Sequence, residues 1–266
     1  MPAGSSRVAF ESIVALSAAA LLAGMLLFAE VGRRIGVARF KRDPEGAGKE
    51  GGAAEAAVFG LLGLLIAFTF SGAVSRFHDR RLLIAQESNA IGTAYLRVDL
   101  LPADAQSEMR ELFRKYVDVR ATVYRAAADD AETLSRLADG ASLQGMIWRT
   151  SVSASQRPGA ATQAPILLLP ALNEMIDITA TRAAATQVHP PTEIFLLLGA
   201  LCMVGALLIG RGASRSRERQ WFHPMMFAAI MSVTVYVIVD IEYPRLGLIR
   251  VDAADQILLD LRKSMQ

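Results

Sequence analysis

The chain has 266 residues, 53% of them hydrophobic and 20% charged, which is too apolar for an average soluble domain and too charged for a chain immersed in lipid throughout. Lys and Arg number 28 against 26 Asp and Glu, a net charge of +2, so no cationic excess points to nucleic acid as a partner. The single cysteine, Cys202, lies in an apolar run; this excludes an intrachain disulfide or a cysteine metal site and leaves the thiol as a small buried hydrophobe.

A helix needs roughly 20 mainly apolar residues to cross about 30 Å of hydrocarbon, and the first such run is Val8 to Val31. Arg7 precedes it, as in a signal peptide. The run is nevertheless too long, lacks a small-residue cleavage site and is followed by Arg33 and Arg34, so it reads as a retained helix. The second run, Ala53 to Val74, sets Leu62, Ile66 and Phe70 on one face. Rings of such side chains from several subunits could form a pore constriction that gates by dewetting, although lipid or helix contact is the commoner use of an apolar face. On an adjacent face Gly63, Ala67 and Ser71 form a small-xxx-small row suited to close helix packing.

After Ser71 the apolar spacing continues through Phe77, Leu83, Ala90, Ile91, Ala94 and Tyr95, and nothing stops the helix before Leu101-Pro102. The span and the first soluble helix therefore read as one rod of about 65 to 70 Å. Glu87, Asn89 and Arg97 on this rod are candidates for a polar vestibule, with Arg97 attracting anions and Glu87 repelling them. The plainer use of the same residues is to satisfy one another and neighbouring helix ends inside a bundle.

The residues up to about 189 are polar but patterned. Leu112, Phe113, Tyr116, Val117, Val123 and Tyr124, then Leu134, Leu137, Ala141, Ile147 and Trp148, then Leu169, Leu172, Met175, Ile176 and Thr179, recur at three- and four-residue spacing and predict amphipathic helices. No run alternates with period two, so no sheet is expected. Ser153 to Pro165, rich in Ser, Gly, Ala and Pro, reads as a mobile loop.

Two further spans follow, Ile194 to Gly210 and Trp221 to Val239, the latter flanked by Trp221, Phe222, His223 and Tyr243 at headgroup depth. Asp240 and Glu242, at its end, could take a cation, but an ion pair with Arg245 or Arg250 is the simpler expectation. The first loop carries Arg33, Arg34, Arg39, Lys41, Arg42 and Lys49, and the third Arg211, Arg215, Arg217 and Arg219. These charges favour an N-out topology with both short loops in the cytoplasm, by a small margin over Arg76, Arg80, Arg81, Arg182 and the basic C-terminal residues. The Arg-rich third loop could also bind anionic headgroups.

Enzymatic chemistry finds little support. His78, His189 and His223 lack ligand spacing, no phosphate-binding, dinucleotide or nucleophile-elbow motif occurs, and no cofactor or metal is expected.

The segments "GLLGLLIAFTFSGAVSRF", "ESNAIGTAYLRVDLLP", "LLPALNEMIDITATR" and "YPRLGLIRVDAADQILLDL" together resemble the bestrophin-like domain family over roughly Glu55 to Leu261. The resemblance implies a four-span helical membrane protein. By name and layout it also looks like the bestrophins, pentameric anion channels with a helical layer between spans two and three and an apolar neck on the second span, although no acidic calcium clasp of the bestrophin kind is seen here.

The resulting expectation is an all-α, multi-pass protein of the inner cell membrane. Residues 1–75 hold spans one and two, 76–189 a soluble helical bundle continuous with helix two, 190–241 spans three and four, and 242–266 a C-terminal tail. Its partners would be membrane lipids, further copies of itself as a homo-oligomer, and small anions, and its function that of a bestrophin-like anion channel or transporter. The alternative is a non-conducting, membrane-anchored sensor or scaffold whose bundle binds a partner.

Overall fold

A computed structural model describes residues 3–42, 52–123, 131–213, 221–249 and 251–265; Lys49, Tyr124, Arg215, Arg217, Arg219 and Arg250 lie outside the described residues. All regular structure among these is helical: α1 (Ala3–Arg42), α2 (Gly52–Leu96) with a 3-10 turn at Arg97–Leu100, α3 (Ala103–Thr122), α4 (Ala131–Ser155), α5 (Ala164–Gln187), α6 (Thr192–Ala213), α7 (Phe222–Glu242) and α8 (Asp252–Ser264). Four helical stretches among the described residues are long and apolar enough to cross a membrane; they contain the runs in α1, α2, α6 and α7. Within their most apolar windows only 11–33% of residues are buried, so most of the apolar surface faces outward, as a lipid solvent requires.

α2 runs unbroken through Arg76–Arg81 for 45 residues, about 68 Å at 1.5 Å per residue. Neither Pro nor Gly interrupts it between Ala73 and Ile91. The helix tightens to 3-10 geometry at Arg97 and stops where Leu101 turns extended ahead of Pro102, the conformation that a following proline favours.

The chain divides into two compact units. One comprises Ala9–Ser75 with His189–Glu242, and the other Met1–Val8, Arg76–Val188 and Tyr243–Gln266; α2 contributes to both.

In the first unit Met25, Ala29, Leu62, Leu198, Cys202, Ala206 and Ala228 form the buried centre. Glycine sets its closest approaches. A methyl group at Gly210 of α6 would sit 1.9 Å from the Ala29 carbonyl oxygen of α1, and one at Gly32 would sit 2.0 Å from that of Leu207. No side chain fits either position, so α1 and α6 touch backbone to backbone. Small residues serve this purpose where lipid supplies no hydrophobic drive for association. Gly205 makes room for Phe59 and Phe227, whose rings meet edge to face at 6.0 Å.

The second unit is a bundle in which α3 packs on α4 and α8, and α4 on α5. Ile84, Ile91, Phe113, Tyr116, Ile147, Leu168, Leu172 and Met175 fill its core, and Tyr95 meets Phe113 edge to face at 5.8 Å. The C-terminal segment belongs to this bundle. Leu258 and Met265 are buried in its core with Leu261 packed against it, a spacing of three and four that makes α8 amphipathic. The loop expected over Ser153 to Pro165 is shorter than anticipated, because α4 continues to Ser155 and α5 begins at Ala164. Between them Gly159 takes a φ of 90°, which glycine adopts without steric cost. The Ala161 N–H donates to the Leu100 carbonyl at 2.9 Å, tying the loop to the end of the 3-10 turn.

Candidate functional site

The second span distributes its residues around the helix by their 100° steps, and the neighbours decide which face is covered. Leu62 is buried and turned toward Gly205 of α6, while Ile66 is half-buried against the same core. Phe70 is 42% exposed. The three residues expected to share one constriction thus diverge. Four-residue steps advance 40° each, so Phe70 lies about 80° round the helix from Leu62, beyond the side that α6 covers. Leu62 contributes to packing within the chain, and Phe70 is the member left open.

Gly63, Ala67 and Ser71 are all exposed; among the described residues nothing lies within 4 Å of a methyl group built on Gly63. The small row therefore does not pack α2 within its own chain. Gly32, Gly205 and Gly210 do the packing in this unit, and no local pattern singles them out, because a glycine in or at the end of an apolar run looks the same whether it faces lipid or a helix. Further along, Ser75, His78, Gln86, Asn89 and Thr93 continue the outward side of α2 with hydroxyl, imidazole and amide groups.

The vestibule candidates also separate. Glu87 is wholly buried. Its carboxylate accepts from Arg120 Nε on one oxygen and from Arg182 Nη1 on the other, and both arginines are 4% exposed. Glu87 is therefore the centre of an Arg–Glu–Arg triad joining α2, α3 and α5, and no open wall includes it. The physical reason is desolvation: a carboxylate this deep needs opposite charge and donors within reach, and α3 and α5 supply both. Arg97 is half-buried and donates from Nη1 to the Leu167 carbonyl, which fastens the start of α5 to the end of α2. Of the three, Asn89 is the exposed one.

Other polar groups settle helix ends. Arg80, buried, donates from Nε to the Ala185 carbonyl at 3.1 Å and from Nη2 to the Val188 carbonyl at 2.9 Å, satisfying acceptors at the end of α5 that no helical N–H reaches. Gln144 donates from Nε2 to the Tyr116 hydroxyl at 2.9 Å and to Thr179 Oγ1 at 3.3 Å. Asp99, on the 3-10 turn, pairs with Arg110. In the first unit, the buried Glu242 carboxylate lies 3.1 Å from His189 Nδ1, a partner 53 positions away that no local spacing reveals. Among the described residues no group of three or more His, Cys, Asp or Glu side chains is placed to hold a metal ion.

On the solvent side of the bundle, Asp104 in the first turn of α3 pairs with Arg157. Its carboxyl is held below the ordinary range chiefly by that hydrogen bond. Asp260 on α8 is lowered likewise by bonds from Lys263 and Gln256.

Comparison with known proteins matches this arrangement of helices to one family. The profile of the bestrophin-like domain matches residues 41–255. None of the curated proteins matches the chain by sequence. Among solved structures, a variant of a bacterial bestrophin homologue from Klebsiella pneumoniae aligns at a TM-score of 0.68 with 14% identity, over 93% of this chain and 98% of that one. A second variant gives 0.67 and 13% over 92% and 98%. A third structure of the homologue gives 0.65 and 14% over 90% and 97%. At such identities the likeness is one of fold.

Proposed function

This chain belongs to the bestrophin-like domain family, and from that membership together with the open face of α2 we propose that it forms a homo-oligomeric anion channel or transporter of the inner cell membrane. The observation that carries the reading is that α2 leaves Gly63, Ala67, Phe70 and Ser71 exposed, with no atom of the described residues within 4 Å of a methyl group built on Gly63. Copies of α2 arranged about an axis would bring these residues together. The small row lets backbones approach, and Phe70 supplies the apolar ring at which a narrow column of water breaks. Ile66 and Leu62 hold α2 against α6 and keep that ring in place. Toward the bundle, the hydroxyl and amide groups of Ser71, Ser75, Asn89 and Thr93 offer donors to a partly dehydrated anion. The Glu87 triad keeps its negative charge out of the path by compensating it within the bundle. In this reading the bundle lies outside the cytoplasm, the side that the loop charges favour by a small margin.

Planar-bilayer recording on the purified oligomer tests the proposal. The expected result is an anion-selective current that Phe70→Ala enlarges by widening the constriction. Absence of current, with no response to Phe70→Ala, removes the channel reading; a monomer or a plugged dimer would favour the membrane-anchored sensor or scaffold. A reporter active only in the cytoplasm, fused after Gln266, stays silent if the orientation is right.

A further inference from the structure

α1 is 40 residues long, about 60 Å at 1.5 Å per residue and so about twice the hydrocarbon thickness. Its last turns are built differently from its middle. Val31, Arg34, Ile35, Ala38, Lys41 and Arg42 stand at i, i+3, i+4, i+7, i+10 and i+11, share one side of the helix, and are all exposed. Ile35 is 48% exposed and the Arg34 side chain 76%. Basic heads thus alternate with apolar stems along an uncovered face.

The depth of this face follows from its neighbours within the same unit. A small cleft joins Glu30 and Arg33 of α1 to Ala213 at the end of α6 and to Trp221, the residue preceding α7. Trp at a helix end marks the headgroup level. The seven residues of α1 beyond Ile35 add about 10 Å, enough to carry the helix through the headgroup layer. The charge there is one-sided. The last ten residues of α1 include Arg33, Arg34, Arg39, Lys41 and Arg42 and no acid. Glu30, one turn before, accepts from Arg33 at 2.8 Å and from Arg34 at 2.9 Å, one carboxylate shared by two guanidinium groups.

We propose that this face of α1 binds acidic phospholipid headgroups, with Lys41, Arg42 and Arg34 meeting the phosphates and Ile35 and Val31 resting on the acyl chains below. Lys and Arg are suited to this, since their stems lie along apolar surface while the charge reaches outward. The inference needs only that α1 spans a bilayer and stands whether or not the protein conducts anions.

Native mass spectrometry of the full-length protein in neutral detergent, titrated with phosphatidylglycerol or phosphatidylcholine, tests it. Each basic residue near an acidic surface strengthens binding by about fivefold. Phosphatidylglycerol should therefore bind at least roughly tenfold more tightly than phosphatidylcholine, less so in high salt. Lys41→Gln/Arg42→Gln, which leaves the Glu30 bridges intact, should remove most of that preference, and adding Arg34→Gln should remove the rest. An unchanged preference in Lys41→Gln/Arg42→Gln overturns the proposal. So does an equal loss in Lys115→Gln/Arg149→Gln, two exposed cations of the bundle, since general positive charge would then be responsible. If inorganic phosphate alone raises the Tm of the wild type and not of Lys41→Gln/Arg42→Gln, the site is one for a soluble anion and the lipid assignment fails.

Discussion

Glu87 of α2 and Arg182 of α5 form a fully enclosed ion pair, carboxylate to guanidinium, with Arg120 of α3 on the other carboxylate oxygen. Three helices are thereby keyed to one register at a single point. Replacing a buried triad by apolar groups can be neutral, but removing one partner leaves an uncompensated charge and costs about 3–5 kcal/mol. Glu87→Gln, which strands two arginines, should lower the chemical-denaturation stability of the bundle by an amount in that range. Arg182→Met should be milder, since Arg120 still balances Glu87. Equal stability of Glu87→Gln and wild type would mean that water or a bound anion reaches the arginines.

The backbone contact between Gly210 and Ala29 makes a second prediction. Because the atom in the way is a carbonyl oxygen rather than a mobile side-chain end, Gly210→Ala forces α1 and α6 apart and should cost on the order of 1–3 kcal/mol. Gly63→Ala meets open space and should leave the stability of the single subunit within about 0.5 kcal/mol. Thermal melts of detergent-solubilised protein separate the two. An effect of Gly63→Ala on subunit assembly alone would place its partner on another copy.

Docking of α8 rests on Leu258, which is wholly buried. Leu258→Ala opens a cavity in the bundle and should destabilise it by about 2–5 kcal/mol. Protection of α8 amides in hydrogen exchange should fall with it. If α8 exchanges freely in the wild type as well, its contribution to the core is small.

Acid should act on the Asp104–Arg157 pair. The Asp104 carboxyl lies below its ordinary range in the folded chain, so the unfolded chain binds the proton more readily. The contribution is complete above the unfolded value, about 3.9, and is lost as pH falls through the lower folded value. Asp104→Asn should therefore narrow the gap in Tm between neutral and strongly acidic buffer, and the difference between variant and wild type should shrink in high salt.

The class of structure follows from local pattern along the chain. Apolar run length required four spans, three- and four-residue spacing required helices, and the lack of any proline between Ser75 and Leu101 made α2 a single shaft that stops ahead of Pro102. The family was legible for the same reason, since its segments lie in those helices. Tertiary structure alone decided which side of each helix is covered. A helical wheel assigns Leu62 and Phe70 to neighbouring directions, yet only the position of α6 buries one and leaves the other open. Glu87 and Asn89, two residues apart, differ wholly in environment because α3 and α5 bring arginines to one of them. Residues 95 positions apart, such as Glu87 and Arg182, meet through packing that no local pattern records. In an apolar span, where lipid and protein interior favour the same side chains, hydrophobicity cannot distinguish inward from outward, and the distinction waits on the neighbouring helix.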